Sequence, residues 1–280
     1  MNQKKSFNSI PVLTTEAGSC LTLANWRELG IETVSYFLDT LLMKPGLSIL
    51  KSMGSLCSYG GWQETIVLNA SSLTANREGI YSLRSRFDGS LVRIEFIELL
   101  SLIVSLAPTI VILPPGFLKQ LNEPGESLPK TLKVFVPAEE LSLAPSEAEY
   151  GSYWHYKGDQ LFSDFLQQIK LYADRPIYLS AELDLSQRLL LTEEQNLFLE
   201  SDKPARDAMN AKVYSEQQIL AIDAPEMENQ HELIDAHCSC PTCAEHFTRA
   251  YLHHLFMQTP LLAQRYLIQH NVYYYQNLTS

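Results

Sequence analysis

The sequence predicts an α/β fold with a metal-binding segment near its C-terminal end. Three observations predict it. Short apolar runs such as Thr65-Ile66-Val67-Leu68 alternate with stretches of helical period, the pattern of buried parallel strands joined by helices. The chain has 280 residues, 46% of them hydrophobic, enough for one large core or two small ones. Three of its five cysteines fall in Cys238-Ser239-Cys240-Pro241-Thr242-Cys243.

Taken in order, the first fifty residues read as a short strand, a turn and a helix. Residues 21–30 have an amphipathic helical pattern ended by Gly30, and the next strand begins at 31–34. A turn at Lys44-Pro45-Gly46 precedes a helix over 47–55 and a strand over 65–68. Phe87-Asp88-Gly89-Ser90 makes a turn, 95–106 is helical in period, and 109–113 is a buried-strand run. Residues 122–129 carry Pro, Gly and Ser and read as an exposed loop. A strand over 132–136, an amphipathic helix over 161–172 and a strand over 176–179 follow. Such repeated units indicate an α/β barrel or an open sheet, with too few units for a full eight-stranded barrel of ordinary length. The cluster Tyr150, Tyr153, Trp154 and Tyr156 suits core packing or a stacking platform, and Tyr273-Tyr274-Tyr275 suits packing on the fold or a partner. Cys20 and Cys57 stand apart and read as buried thiols.

The C-x-C-x-x-C spacing brings three soft ligands around one small ion, and zinc is the economical choice, with a histidine closing the tetrahedron. His270 suits that place, but His237, His246, His253 and His254 are near enough that spacing alone leaves the fourth ligand open. No signal-peptide pattern stands at Met1-Asn2-Gln3-Lys4-Lys5, so disulfides are not expected. The longest apolar run, 96–113, is broken by Glu98, serines and Pro108, so no membrane span is expected and the protein reads as cytoplasmic. A formal charge of −11 excludes a globally basic nucleic-acid binder; any phosphate-binding face has to be local.

The words after the cysteines are specific. Phe247-Thr248-Arg249-Ala250-Tyr251-Leu252-His253-His254-Leu255, then Leu262-Ala263-Gln264-Arg265 and His270-Asn271, resemble the zinc segment of the tRNA-guanine transglycosylases, the queuine tRNA-ribosyltransferases. By that resemblance the zinc ligands are Cys238, Cys240, Cys243 and His270, and His253 and His254 are ordinary helix residues. The likeness continues upstream. Lys44-Pro45-Gly46 resembles the family's Arg-Pro-Gly turn, 84–90 its Arg-Ser-x-x-Asp-Gly-Ser turn, 174–179 its Lys/Arg-Pro-x-Tyr-Leu strand, and 204–208 its Pro-Thr-Arg-Asn-Ala. The resemblance implies a shortened or degenerate (β/α)8 TIM barrel over 1–225, remodelled between 113 and 161, and a zinc-binding subdomain over 226–280.

The same comparison shows departures. Asn69-Ala70-Ser71-Ser72-Leu73-Thr74 stands where the family has Asp-Ser-Gly-Gly-Phe-Gln, so a carboxamide replaces an acid and side chains replace glycines that admit the base. The family's Asn-Thr-Tyr-His-Leu is Phe37-Leu38-Asp39-Thr40-Leu41, its Phe-Asp-Glu is Leu113-Pro114-Pro115-Gly116, its Gly-Val-Gly is Ala181-Glu182-Leu183, and its Gly-Gly-Leu has no counterpart. Glu200 falls at the nucleophile position, one methylene longer than the family's aspartate, and is expected to be a surface or loop carboxylate. Lys203, Arg206 and Lys212 lie in the segment that lines the family's tRNA groove, interleaved with Asp202 and Asp207. The expectation is therefore a zinc-stabilised binding or partner subunit related to queuosine tRNA modification, with tRNA and a homodimer or a heterodimer with a catalytic transglycosylase as partners. The alternative is an active base-exchanging transglycosylase of altered substrate, including DNA-acting relatives, with Glu200 as nucleophile. A pocket converging on Glu200 favours the enzyme; one filled by Leu73, Pro114 or Leu183 favours the subunit.

Overall fold

The computed structural model describes residues 9–121, 127–144, 149–191, 196–216 and 218–278. The expected loop at 122–129 lies largely outside them, as do Met1 to Lys5.

In chain order the elements begin with β1 (Ser9–Ile10) and α1 (Leu23–Glu28). Thr22 caps α1 by accepting from Asn25 N, while Gly30, at φ +74°, takes the left-handed turn that a side chain would oppose. Then come β2 (Thr33–Phe37), α2 (Leu38–Leu41), α3 (Leu47–Ser52), α4 (Leu56–Gly60) and β3 (Thr65–Asn69). A hairpin of β4 (Ile80–Arg84) and β5 (Leu91–Glu95) precedes α5 (Phe96–Leu106), β6 (Ile110–Ile112), α6 (Phe117–Leu121) and β7 (Lys133–Pro137). The chain continues through β8 (Gly151–Tyr156), α7 (Phe162–Lys170), β9 (Ile177–Ala181), α8 (Leu185–Leu189), β10 (Leu197–Glu200) and α9 (Lys203–Met209). It closes with β11 (Lys212–Tyr214), β12 (Ile219–Ala221), α10 (Pro241–Ala244), α11 (Arg249–Gln258) and α12 (Pro260–Gln276).

Two compact units are formed: 32–181 with 195–200, and 1–31 with 182–194 and 201–280. Neither is contiguous, in contrast to the expected division of 1–225 and 226–280. The break after Glu200 follows from the chain's path, because β10 completes one unit's sheet and α9 begins packing for the other.

The first of these units holds the sheet order β10-β9-β8-β7-β6-β3-β2, parallel at every pairing. This is the α/β class expected, a degenerate (β/α)8-type barrel wall. Its strands are short and apolar, with Val34, Val67, Leu68, Val111, Phe135 and Leu179 fully buried, as strands covered on both faces must be. Several elements escape the sequence reading, the β4–β5 hairpin, β8 and β10 among this unit's strands. The turn at 87–90 proves to be the tip of the antiparallel β4–β5 hairpin, whose strands alternate too weakly to stand out. Residues 151–156 form β8, where Gly, Ser and His interrupt the apolar run expected of a strand.

That strand explains the aromatic cluster. Trp154 packs edge-on to Phe165 and Tyr172, and Tyr156 edge-on to Phe162 and tilted against Phe165, so these two rings bind α7 to the sheet instead of offering a platform. Gly151 is required by packing. A Cβ there would lie 2.4 Å from the Phe135 ring and 2.7 Å from the Pro176 carbonyl oxygen. We expect Gly151→Ala to cost about 1–3 kcal/mol, read as a lower urea midpoint with an unchanged slope. Cys20 and Cys57 are half-buried, not buried as expected, because each sits in a short surface helix.

In the other unit, α12 packs on α9, α11, α10 and β11. Tyr275 is fully buried and donates to Leu183 O at 3.2 Å, while Tyr273 and Tyr274 are half-buried, so the aromatic ending packs within this unit. Among the described residues no helix is long and apolar enough to cross a membrane.

Candidate metal centre and a buried carboxylate

The candidate metal centre is built by the loop before α10, by the short α10 and by the long α12. Cys238 lies in the loop before α10, Cys240 caps that helix by accepting from Cys243 N at 3.3 Å, and Cys243 lies inside it. Pro241 at the first helical turn starts α10 immediately after the cap, which turns both sulfurs to the same side. His270 comes from the middle of α12 and is fully buried. Thr242 fixes α10 to α12 by donating to Tyr266 O at 2.7 Å.

His270 Nδ1 stands 3.7, 3.5 and 3.3 Å from the sulfurs of Cys238, Cys240 and Cys243. All four ligand atoms lie within 4.8 Å of one another. A tetrahedral ion with zinc's bond lengths requires nitrogen–sulfur separations of about 3.6 Å, so the donors are already spaced for it. The ring's other nitrogen settles the tautomer: Nε2 donates to Tyr214 O at 2.7 Å, leaving the Nδ1 lone pair toward the sulfurs. Hydrogen bonds from Cys238 and Cys243 pull the Cys240 thiol well below its ordinary range, while Cys243 is pushed up by the same crowding. Three sulfurs this close cannot all ionise alone; a cation removes that conflict by taking all three as thiolates.

The competing histidines are placed elsewhere. His253 Nδ1 binds Ile222 O at 2.7 Å, and His237, His246 and His254 are exposed. Arg249 organises the approach, bonding Leu233 O, Ile234 O and the side chains of Gln230 and Glu232. Asn271 has a role that spacing could not reveal. Its carboxamide accepts from Tyr214 N at 2.9 Å and donates to Lys212 O at 2.8 Å and Pro204 O at 3.1 Å. The His-Asn pair thus grips β11 from both sides of Tyr214.

The other unit contains the second candidate. Glu200 ends β10 and is 1% exposed, which corrects the expectation of a surface or loop carboxylate. A parallel sheet places alternate side chains on one face, and here that face brings Ser35, Asn69 and Tyr178 to the carboxylate. Asn69 Nδ2 donates to Oε1 at 2.8 Å, and Tyr178 Oη at 2.9 Å and Ser35 Oγ donate to Oε2. Asn69 Oδ1 in turn accepts from Ser71 N at 3.0 Å, and Ser71 Oγ donates to Tyr153 Oη at 3.0 Å. Burial raises the Glu200 carboxyl above its ordinary 4.5, and its hydrogen bonds only partly offset this. Tyr178 is raised well above the usual phenol range by burial and by Glu200 beside it. Leu73, Pro114 and Leu183 are all buried.

The basic trio is mostly neutralised. Lys203 pairs with Asp207 at 3.0 Å, Arg206 pairs with Glu182, and Lys212 is exposed. Glu182 also accepts from Asp202 N at 3.2 Å.

Residues 198–280 match the sequence model of the queuine tRNA-ribosyltransferases, a stretch that spans the whole metal centre. Over that stretch the chain resembles the queuine tRNA-ribosyltransferases. Among similar proteins, the queuine tRNA-ribosyltransferase of Clostridium kluyveri is 33% identical over 105 residues, 38% of this chain and 28% of that protein. The Clostridium botulinum (strain Langeland) protein of the same description is 33% identical over 106 residues, 38% and 28% of the two chains. The match thus spans under a third of the length of these relatives.

Proposed function

We propose that this chain is a zinc-stabilised, catalytically silent member of the family, acting in tRNA modification as a tRNA-binding or partner subunit, either as a homodimer or with a catalytic transglycosylase. Zinc is the ion that suits three thiolates and one imidazole in a closed tetrahedron, where it serves folding and not chemistry. A soluble, cytoplasmic location accords with that role, and residues 226–280 are the proposed zinc-binding subdomain beside a barrel-like part over 1–225.

One observation carries the silence: Glu200 is buried, with donors from Ser35, Asn69 and Tyr178 on both oxygens. A nucleophile must reach its target at near-bonding distance with a lone pair free, and these donors occupy the directions of approach. Asn69, which replaces an acid of the family motif, is itself one of those donors. The test is base exchange with labelled guanine and bulk tRNA, using this protein alone and mixed with an active transglycosylase. We expect no incorporation by the protein alone and an altered rate for the active enzyme on mixing. Incorporation by the protein alone, lost in Glu200→Gln, would overturn the proposal and make Glu200 the nucleophile.

A further inference from the structure

The β4–β5 hairpin concentrates positive charge on an acidic chain. Its register pairs Arg84 with Leu91 and Ser82 with Arg93, so these four residues share one face, and all four are exposed. Tyr81 and Ile94 are buried on the opposite face and hold the hairpin down. Arg84 and Arg93 are diagonal neighbours, about 7–8 Å apart by strand geometry. At the tip, Phe87 is exposed and lies under two cations, Lys44 Nζ at 5.3 Å and Arg86 Cζ at 5.4 Å from its ring centre. Cations over one aromatic ring are held at set positions without being neutralised.

What separates this surface from α9 is the fate of the charges. Lys203 and Arg206 are paired with carboxylates, whereas among the described residues Lys44, Arg84, Arg86 and Arg93 make no ion pair. Arg84 is oriented by donating to Gly89 O at 2.9 Å. The acids nearby are engaged or distant: Asp88 accepts from Ser90 N and Ser90 Oγ inside its own turn, and Glu95 stands at the far end of the hairpin, opposite Ile80. On a chain of net charge −11, three unpaired cations on one exposed hairpin, with Lys44 over the ring at its tip, form a local face complementary to a phosphate backbone.

We propose that this hairpin is the RNA-binding surface of the protein: Lys44, Arg84, Arg86 and Arg93 take backbone phosphates, and Phe87 positions the two cations at the tip. The assignment rests on the reading that the chain binds tRNA, and it moves the binding face from α9 to the hairpin.

The experiment is fluorescence anisotropy of labelled tRNA across a salt series, with the full chain and two double variants. Lys44→Gln with Arg86→Gln is expected to weaken binding about tenfold or more and to flatten the log–log salt slope by about 1.4, or 0.7 for each phosphate no longer neutralised. Lys203→Gln with Lys212→Gln is expected to stay within about twofold of wild type, because Lys203 is already paired. Lys44→Arg with Arg86→Lys should bind as wild type does, and the urea midpoints of the Lys44 and Arg86 variants should agree with wild type because both side chains are exposed. Wild-type binding that survives the hairpin change but is abolished by Lys203→Gln with Lys212→Gln would overturn the assignment and leave tRNA binding standing. No binding by the wild type would instead remove the tRNA-binding reading on which the assignment rests.

Discussion

Cys240→Ser, or chelation at neutral pH, is expected to melt residues 225–248 and to lower the stability of their unit by several kcal/mol, the scale of a missing structural metal site. The region between β12 and α11 has little else to hold it. It contains one short 3-10 turn and the four-residue α10, and beyond Met227, Ile234, Cys240 and Cys243 it buries few apolar side chains. The centre ties that loop to α12 through His270, and His270 ties on to β11 through Tyr214 O. Without the metal, three crowded sulfurs and a buried imidazole would be left in place of four bonds, and the segment would open to water. The α9–α12 packing does not depend on the sulfurs and should persist, so the loss is local before it is global. Metal analysis should give one zinc per chain for wild type and none for Cys240→Ser, with new protease sites confined to 225–248. A metal-free wild type as stable as the loaded protein would show that the cluster is not a structural centre.

Glu200→Ala is expected to destabilise by about 3–5 kcal/mol, because it leaves three buried donors, Ser35 Oγ, Asn69 Nδ2 and Tyr178 Oη, without their acceptor. The sign is informative. A nucleophile held in an open pocket is usually removed with neutral or stabilising effect, since active sites carry strain that folding does not need. A structural carboxylate behaves in the opposite way. The pH dependence follows from the raised folded value. Where a buried acid titrates higher in the folded state than its unfolded 4.5, the folded state binds more protons between the two values. Its stabilising contribution is therefore complete below the unfolded value and is lost as pH rises through the folded one. Urea midpoints of wild type should fall over that window relative to those of Glu200→Gln, which cannot titrate. Parallel pH profiles for the two proteins, or an Ala variant as stable as wild type, would remove Glu200 from the structural role.

Local patterns decided what the sequence could settle by itself. The metal ligands sit in a spacing that a small ion dictates, so Cys238, Cys240 and Cys243 were legible, and the helical words that follow pointed to His270. The alternation of apolar strands and amphipathic helices made the α/β class legible because burial on both faces demands it. The β4–β5 hairpin and β8 were not legible. Their residues 80–95 and 151–156 mix Gly, Ser, Arg and His into weak alternation, and only pairing with neighbouring strands makes them strands. Glu200 shows the limit most plainly. A glutamate at the end of a strand reads as exposed, since an unpaired buried charge is costly. The fold reverses that by bringing Ser35, Asn69 and Tyr178, each far from it in sequence, within hydrogen-bonding reach. The same holds for Arg206, which looks like part of a basic cluster until Glu182 folds against it, whereas the Lys203–Asp207 pair, four residues apart on α9, was already visible as interleaved charge. Ligand type and spacing are properties of neighbours along the chain; burial, pairing and charge compensation are properties of neighbours in space, and only the tertiary structure assigned those.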